Sequence, residues 1–429
     1  MNRILKYGLL GVGGIAVVAV AGVAYIAATF NPNDYKGKII QAVKDGKQRN
    51  LRLDGDIKLT FFPSIGAKLS KVSLSEFKSD QEFAAIESAS VSLALIPLLS
   101  KHVVVDEVAL SGLRATVVKH KNGTTNIDDL LGKGDGEKGG QKKNAGQQVR
   151  FDIASVAIEK TDLNYRDEGI GAQYAIKDLN FQSGRLANGS PGKIVLSAVV
   201  QANQPKLDIN TRLKTALLFD LDKQKYQLEG MDLQVNGAVL DINNLKVKAS
   251  GDAIVNLAAQ EFSAQKFMLN ATGEKAKDNF DVTLNASEIN FAKDKLSGDQ
   301  LKLNAKLDGV SGNISATVSV PGITGDGKSF KANSMALDLN AKLPETKLDM
   351  IAQIKTALNL DLEKQSFQFK GLDLQASGSA LDMSDLKIKA GGDASANLST
   401  QEFAAQKLTL QASGKRDKDN FEAALDAPR

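Results

Sequence analysis

LDKQKYQLEGMDLQ at 221–234 and LEKQSFQFKGLDLQ at 362–375 are one element written twice, and their pattern decides the fold. Worked outward, Thr215–Phe280 aligns without gaps onto Thr356–Phe421, an offset of 141, with 37 identities in 66 positions. AQEFSAQKFMLNATG at 259 answers TQEFAAQKLTLQASG at 400. This is an internal duplication. Within each copy apolar residues recur at every second position, the period of a strand whose side chains point alternately to the two faces of a sheet. The spacing predicts about six runs per copy, near one strand per ~12 residues, and some ~30 strands after residue 30. Repeated strand units grow a sheet by stacking. The expected fold is therefore mainly β: an elongated, curled antiparallel sheet that forms a groove.

The apolar phase is the candidate site. In the first copy it holds Leu233, Val235, Leu245, Val247, Phe267, Leu269, Phe280, Val282 and Leu284, with Lys, Asp, Asn and Gln on the opposite phase. The second copy keeps the phase at Leu374, Leu386, Ile388, Leu408, Leu410 and Phe421. One face must be covered. The sheet can close on itself, pack on a second sheet as an ordinary sandwich or barrel, or curl around something apolar. A lipid tail is such a thing: at about 0.8 kcal/mol per CH₂, a chain of roughly 16 carbons gains on the order of 10 kcal/mol on leaving water.

Composition narrows the remaining classes. The chain has 429 residues, 42% apolar and 24% charged, enough for several domains of ordinary folded protein. Its 54 basic and 50 acidic residues give a net +4 spread along the length, which gives no case for nucleic acid as partner. Cys is absent and His occurs twice, which removes disulfides, thiol chemistry and Cys/His metal sites; no enzyme, no cofactor and no metal are expected. His102 and His120 read as isolated strand-end residues, and the scattered Asp residues lack the dense array of a calcium loop. GITGDGKS at 322–329 matches the phosphate-binding loop G-x-x-x-x-G-K-[ST] letter for letter. That mechanism requires a helix starting at the Lys-Ser pair, whereas FKANSMALDLNAKL continues as period-two strand, so the segment reads as a hairpin turn and no nucleotide is expected.

The N-terminus sets the compartment. YGLLGVGGIAVVAVAGVAYIAATF at 7–30 has no charge, and its 24 residues at about 1.5 Å each exceed the ~30 Å hydrocarbon core. It is longer than the roughly 7–15 residues of a signal-peptide core, so it reads as a transmembrane helix. Arg3 and Lys6 keep residues 1–6 in the cytoplasm and send everything after Phe30 across the membrane. NPNDYKGKIIQAVKDGKQR then places Tyr35, Ile39, Ile40 and Val43 on one face of a short amphipathic helix that stops near Gly46. An N-terminal unit follows over 31–131, then a Gly/Lys/Gln-rich stretch at 132–148 that reads as a flexible loop. The groove continues over 149–212, with a first repeat at 213–353 and a second, incomplete one at 354–429.

LRLDGDIKLTFFPSIGAKLSKVSLS at 51–75 resembles the opening of the AsmA family of membrane-anchored periplasmic proteins, with Phe62, Pro63, Gly66, Leu69, Val72 and Leu74 in the family's places. The segment 91–131 is similar too, carrying the Pro-Leu-Leu, V-x-V-x-x-V-x-L-x-G and G-x-x-N-x-x-D-L elements at Pro97, Val103, Gly112, Gly123, Asn126 and Asp129. IEKTDLNYRDEGIGAQYAIKDLNFQSG at 158–184 looks like the next strand pair. The departures are Ile127, where the family often has Trp, and the absence of a C-terminal continuation. The resemblance implies an inner-membrane, single-pass protein with its bulk in the periplasm, and a phospholipid or other acyl lipid carried in a repeating β-groove that supports outer-membrane lipid homeostasis and assembly. The alternative it implies is an envelope scaffold that does not transport lipid and binds outer-membrane proteins or assembly factors through its sheet edges.

The topology has a direct test. Residues 31–429 are expected to resist protease in intact cells and to be digested once the outer membrane is permeabilised; digestion from the cytoplasmic side of inner-membrane vesicles would overturn it.

Overall fold

The computed structural model describes residues 29–99, 103–131 and 152–427, among which 23 strands, two α-helices and one 3-10 turn are found. The chain divides into two units, Met1–Gln204 and Pro205–Arg429. The expected span at 7–30, apart from Thr29 and Phe30, and the expected loop at 132–148 lie outside the described residues, as does His102. Among the described residues no helix is long and apolar enough to cross a membrane.

In the first unit Asn31 caps a 3-10 turn, Pro32–Tyr35, which runs into α1 (Lys36–Lys47). The helix passes Gly46 and ends where Gln48 turns left-handed (φ 53°), its N–H bonding the Lys44 carbonyl at 2.9 Å. Glycine usually takes that position, which is why the stop was expected at Gly46. Ile40 and Val43 are half-buried, whereas Tyr35 and Ile39 stay exposed, so only part of the apolar face is covered.

The next residue locks the unit. Arg49 is 0% exposed. Its Nε and Nη2 donate to both carboxylate oxygens of Asp129 at 2.7 and 2.6 Å, and the guanidinium also donates to the carbonyls of Ser75 and Asn126. Asn126 in turn donates to Glu76 at 2.7 Å and to the Thr116 carbonyl at 2.9 Å, and accepts from the Val118 N–H at 2.9 Å. The two polar letters of the G-x-x-N-x-x-D-L element are thus structural: they join the end of α1 to β3 (Ser64–Ser75) and β6 (Arg114–Lys119).

Around this lock, β1 (Leu51–Leu53) and β2 (Lys58–Thr60) pair with one edge of β3, and β4 (Glu82–Ala94) pairs with the other. A short helix, α2 (Leu95–Leu99), follows β4. One departure from the expected antiparallel order occurs here. β5 (Val105–Ser111) and β6 lie end to end along β7 (Asp152–Asp167), both parallel to it. A parallel neighbour requires a long connection, and residues 120–151 supply it. β8 (Ala172–Ser183) and β10 (Gly192–Asn203) then continue antiparallel, with β9 (Leu186–Ala187) on β7.

The second unit is a meander. Its strands are β11 (Lys206–Asp220), β12 (Lys225–Val239), β13 (Ile242–Asn256), β14 (Glu261–Lys275), β15 (Asp278–Ala292), β16 (Lys295–Gly309) and β17 (Gly312–Gly325). They continue as β18 (Ser329–Leu343), β19 (Leu348–Asp361), β20 (Ser366–Ala380), β21 (Met383–Asn397), β22 (Glu402–Arg416) and β23 (Asp419–Ala427). Each is antiparallel to the next. Two-residue turns such as Ala276-Lys277 and Lys293-Asp294 have both residues at positive φ, the twist that suits a tight hairpin. GITGDGKS is the end of β17 and a hairpin turn at 326–328 that leads into β18: the Asp326 carboxylate accepts from the N–H groups of Lys328 and Ser329, and Lys328 pairs with Glu363 at 3.1 Å.

In the second unit β11–β22 are each 14 or 15 residues long, in place of one strand per ~12 residues, and the described residues hold 23 strands against the expected ~30. The reason is a mid-strand irregularity. In β12 the apolar phase is Tyr226 and Leu228, then Met231, Leu233 and Val235, because Gly230 sits at φ 59° and shifts the register. One bent strand reads as two short ones. Three residues hold the shift: the Thr215 hydroxyl donates to the Glu229 carbonyl at 3.1 Å, and the Gly230 N–H donates to Asp252 at 2.8 Å. Thr356, Gly371 and Asp393 repeat both bonds, at 3.2 and 2.7 Å, in the second copy.

Two outcomes follow from these contacts. Asp129→Ala leaves a buried guanidinium without its bidentate partner and is expected to cost about 3–5 kcal/mol. The Arg49 guanidinium also holds the Asp129 carboxyl below the usual carboxylate range. Its stabilisation is therefore complete above the unfolded value of roughly 4 and is lost as pH falls through the lower folded value, an acid limb that thermal unfolding of the Asp129→Ala chain should lack. Thr356→Val, at a buried site, is expected to cost about 1–2 kcal/mol in denaturant unfolding by leaving the Lys370 carbonyl unpaired.

Candidate functional site

The pairing registers of the second unit can be followed from strand to strand. Residues directly opposite each other across a ladder share a face, and so do residues two apart along a strand. One row runs Leu213, Leu233, Ala249, Leu269, Leu284, Leu303, Val318, Leu337, Ile354, Leu374, Ala390, Leu410 and Leu425. Every strand contributes one residue and all thirteen are apolar. The adjacent row on the same face runs Thr211, Val235, Val247, Ala271, Val282, Ala305, Ala316, Leu339, Ala352, Ala376, Ile388, Ala412 and Ala423. Only its first member is polar.

The fifteen residues singled out from sequence fall on this face. Leu233, Leu269, Leu284, Leu374 and Leu410 lie in the first row, and Val235, Val247, Val282 and Ile388 in the second. Leu245, Phe280, Leu386 and Phe421 belong to a third row, in which they alternate with Gly237, Gly273, Gly378 and Gly414. Phe267, opposite Ala286, and Leu408, opposite Ala427, lie on the other flank of the first row. The glycines leave room for these rings: a Cβ at Gly273 would meet the Phe280 ring at 2.8 Å, and one at Gly414 the Phe421 ring at 3.0 Å. Leu303, Val318, Leu337 and Ile354 belong to the first row as well, and they are not among the residues singled out from sequence although their alternation is as regular.

Offset by one residue, the opposite face carries Arg212, Gln234, Lys248, Asn270, Thr283, Asn304, Thr317, Asp338, Gln353, Gln375, Lys389 and Gln411 in one row, of which only the last member, Ala424, is apolar. Its members bond across strands, as in Asn270 to Thr283 at 2.9 Å and Thr317 to Asn304 at 3.0 Å. The two faces differ sharply in chemistry.

Among the described residues of this unit there is no helix, and all the strands belong to one sheet in which each pairs with its sequence neighbours. Of the fifteen residues only Leu386 is buried, at 5% exposed, and the other fourteen are half-buried. The fully buried apolar positions of this unit are otherwise Phe219 and alanines. A closed sandwich or barrel core, the alternative left by the sequence, is not what this unit builds. With twelve spacings of about 4.8 Å the row is about 58 Å long, and its rows at about 7 Å intervals make a band roughly 20 Å wide.

The first unit follows the same rule. Leu69, Ala89, Leu110, Ile158, Phe181 and Leu196 form one row from β3 to β10. Lys71, left-handed at φ 48°, stands between Leu69 and Val72 and breaks the alternation, which is why the motif reads L-x-x-V-x-L. Gly66 is needed because a Cβ there would meet the Val91 carbonyl at 2.7 Å. His120 contacts Glu168 at 3.1 Å on the surface. Among the described residues no group of His, Cys, Asp and Glu is arranged to hold a metal.

Comparison with known proteins places this architecture. Protein AsmA of Escherichia coli (strain K12) is 23% identical over 230 residues, which is 52% of this chain and 37% of that protein. The chain thus matches little more than a third of the length of that relative. No solved structure matches it. The AsmA family profile matches residues 1–429, and the chain belongs to the AsmA family.

Proposed function

We propose that this protein is anchored in the inner membrane, lies mainly in the periplasm, and binds lipid acyl chains along the apolar face of its second unit, passing them along the row in support of outer-membrane lipid homeostasis. The observation that carries the reading is the unbroken thirteen-residue apolar row, on a unit whose described residues form one sheet without a helix. Such a face in water is unfavourable by about 25 cal/mol per Å² left exposed, so a ligand that covers it is stabilised by the same amount. Membership of the AsmA family supports an envelope setting.

The dimensions suit a lipid. One leaflet of a ~30 Å hydrocarbon core gives tails about 15 Å long, which fit across a band of roughly 20 Å with the headgroup at its edge. Along the row no position presents a charge or a lone polar side chain. A tail moving from strand to strand therefore meets no desolvated polar group, each of which would add a step of several kcal/mol.

Purified full chain is expected to yield phospholipid in organic extracts analysed by mass spectrometry. Leu284→Asp, in the middle of the row, should reduce that lipid several-fold, while Asn285→Asp, on the other face, should leave it unchanged. The Leu284→Asp chain must retain the strand signature by circular dichroism, and the half-buried site makes that the expected result. A lipid-free wild-type chain holding a stoichiometric protein partner would instead favour the scaffold reading.

A further inference from the structure

The first unit exposes large apolar side chains at one end. Phe62 is 80% exposed at the tip between β2 and β3, Ile96 is 79% exposed on α2, and Val103 and Ile65 are exposed beside them. Pairing shows that they share a place. Ser64 lies opposite Ala94 and Ile65 opposite Leu93, while the Ala94 N–H bonds the Val104 carbonyl at 2.9 Å. The start of β3, the end of β4 and the start of β5 therefore meet at this edge, and the four side chains project around it.

Two further observations say what covers them. First, the chain enters nearby: Asn33 is pinned to Ile57 by a reciprocal pair of bonds at 2.9 and 3.3 Å, and Lys58 opens β2, which leads to Phe62. From Phe30, where the apolar run of 7–30 ends, to Asn33 and from Ile57 to Phe62 there are only eight residues of chain, at most about 27 Å. Second, Lys58 and Lys68 lie directly opposite each other on β2 and β3, both exposed and with no ion pair among the described residues. Like charges in register repel unless an anion lies between them. Lys58 is set back from Phe62 by four residues of chain, roughly 13 Å at most, and Lys68 lies opposite it, which brings both to headgroup level when the tip is buried some 5–10 Å.

We propose that this end is a membrane seat: Phe62, Ile65, Ile96 and Val103 insert into the interfacial layer of the same bilayer that residues 7–30 span, with Lys58 and Lys68 at the level of anionic headgroups. The proposal rests on the reading of 7–30 as an anchor and adds that the folded unit itself enters the lipid. Large exposed apolar side chains on separate chain segments suit insertion into a fluid surface. The seat brings the start of the apolar rows of this unit to the lipid, since Ile65 continues through Leu93, Val105 and Ile153.

The chain has no cysteine, so one introduced thiol reports one place. Full chain carrying Phe62→Cys or Ile96→Cys, or Leu381→Cys at an exposed turn of the second unit as control, is labelled with an environment-sensitive fluorophore and reconstituted in nanodiscs of phosphatidylethanolamine and phosphatidylglycerol. Blue-shifted emission at positions 62 and 96, with at least twofold quenching by lipid-borne spin labels and protection from iodide, is expected, while the control responds to iodide alone. A chain that co-migrates with the discs but leaves both probes open to iodide overturns the seat and spares the anchor. Probes shielded from both quenchers point to a protein contact and also overturn it. A chain that fails to co-migrate removes anchor and seat together.

Discussion

An antiparallel ladder in which each strand lies beside its sequence neighbour leaves the second unit with two faces and one layer. Backbone hydrogen bonds saturate along the ladder, so register is fixed strand by strand, and with register comes the identity of every residue that shares a face. The apolar row from Leu213 to Leu425 is the product of twelve successive pairings, each of which sets Leu, Val, Ile or Ala against another of the same kind. A slip of one residue at any pairing would carry the row onto the polar face, where Arg212, Lys248, Asp338 and Lys389 lie. The open apolar face is thus a property of the whole ladder, and the proposed lipid path inherits its continuity from it.

Keeping that continuity over strands of 15 residues needs correction on the way, since long strands coil with the sheet twist. The shifts at Gly230 and Gly371 serve this purpose. Each is held by a buried threonine hydroxyl from the strand before and an aspartate from the strand after, and all three residue types are identical in the two copies. Before and after the shift the apolar phase stays on one face, so the register change preserves the chemistry of the face while bending the strand.

Much of this was legible in the sequence. The duplication and the period of two led to the meander and to fifteen residues that share a face. The strand count was too high because the phase change at Gly230 looks like the end of one strand and the start of another. The parallel placement of β5 and β6 on β7 was hidden, since alternation is the same in parallel and antiparallel strands at a sheet with mixed order. Arg49 was also missed. A single arginine after a lysine-rich helix looks like one more solvated charge, and only the fold brings Asp129 to it from 80 positions away. Asn126 and Asp129 could be recognised as a motif without their purpose being visible.

The repeat unit carries an arithmetic consequence. An offset of 141 residues returns β12 to β20 and β15 to β23, so one copy amounts to eight strands. Because a strand packs on its two neighbours and little else in this unit, a block of eight can be inserted or removed by recombination without redesigning a core, and each block changes the ladder by about 38 Å at the ordinary strand spacing. The length of such a ladder is therefore quantised: it changes by whole blocks through gene copies, and side-chain substitution leaves it as it is.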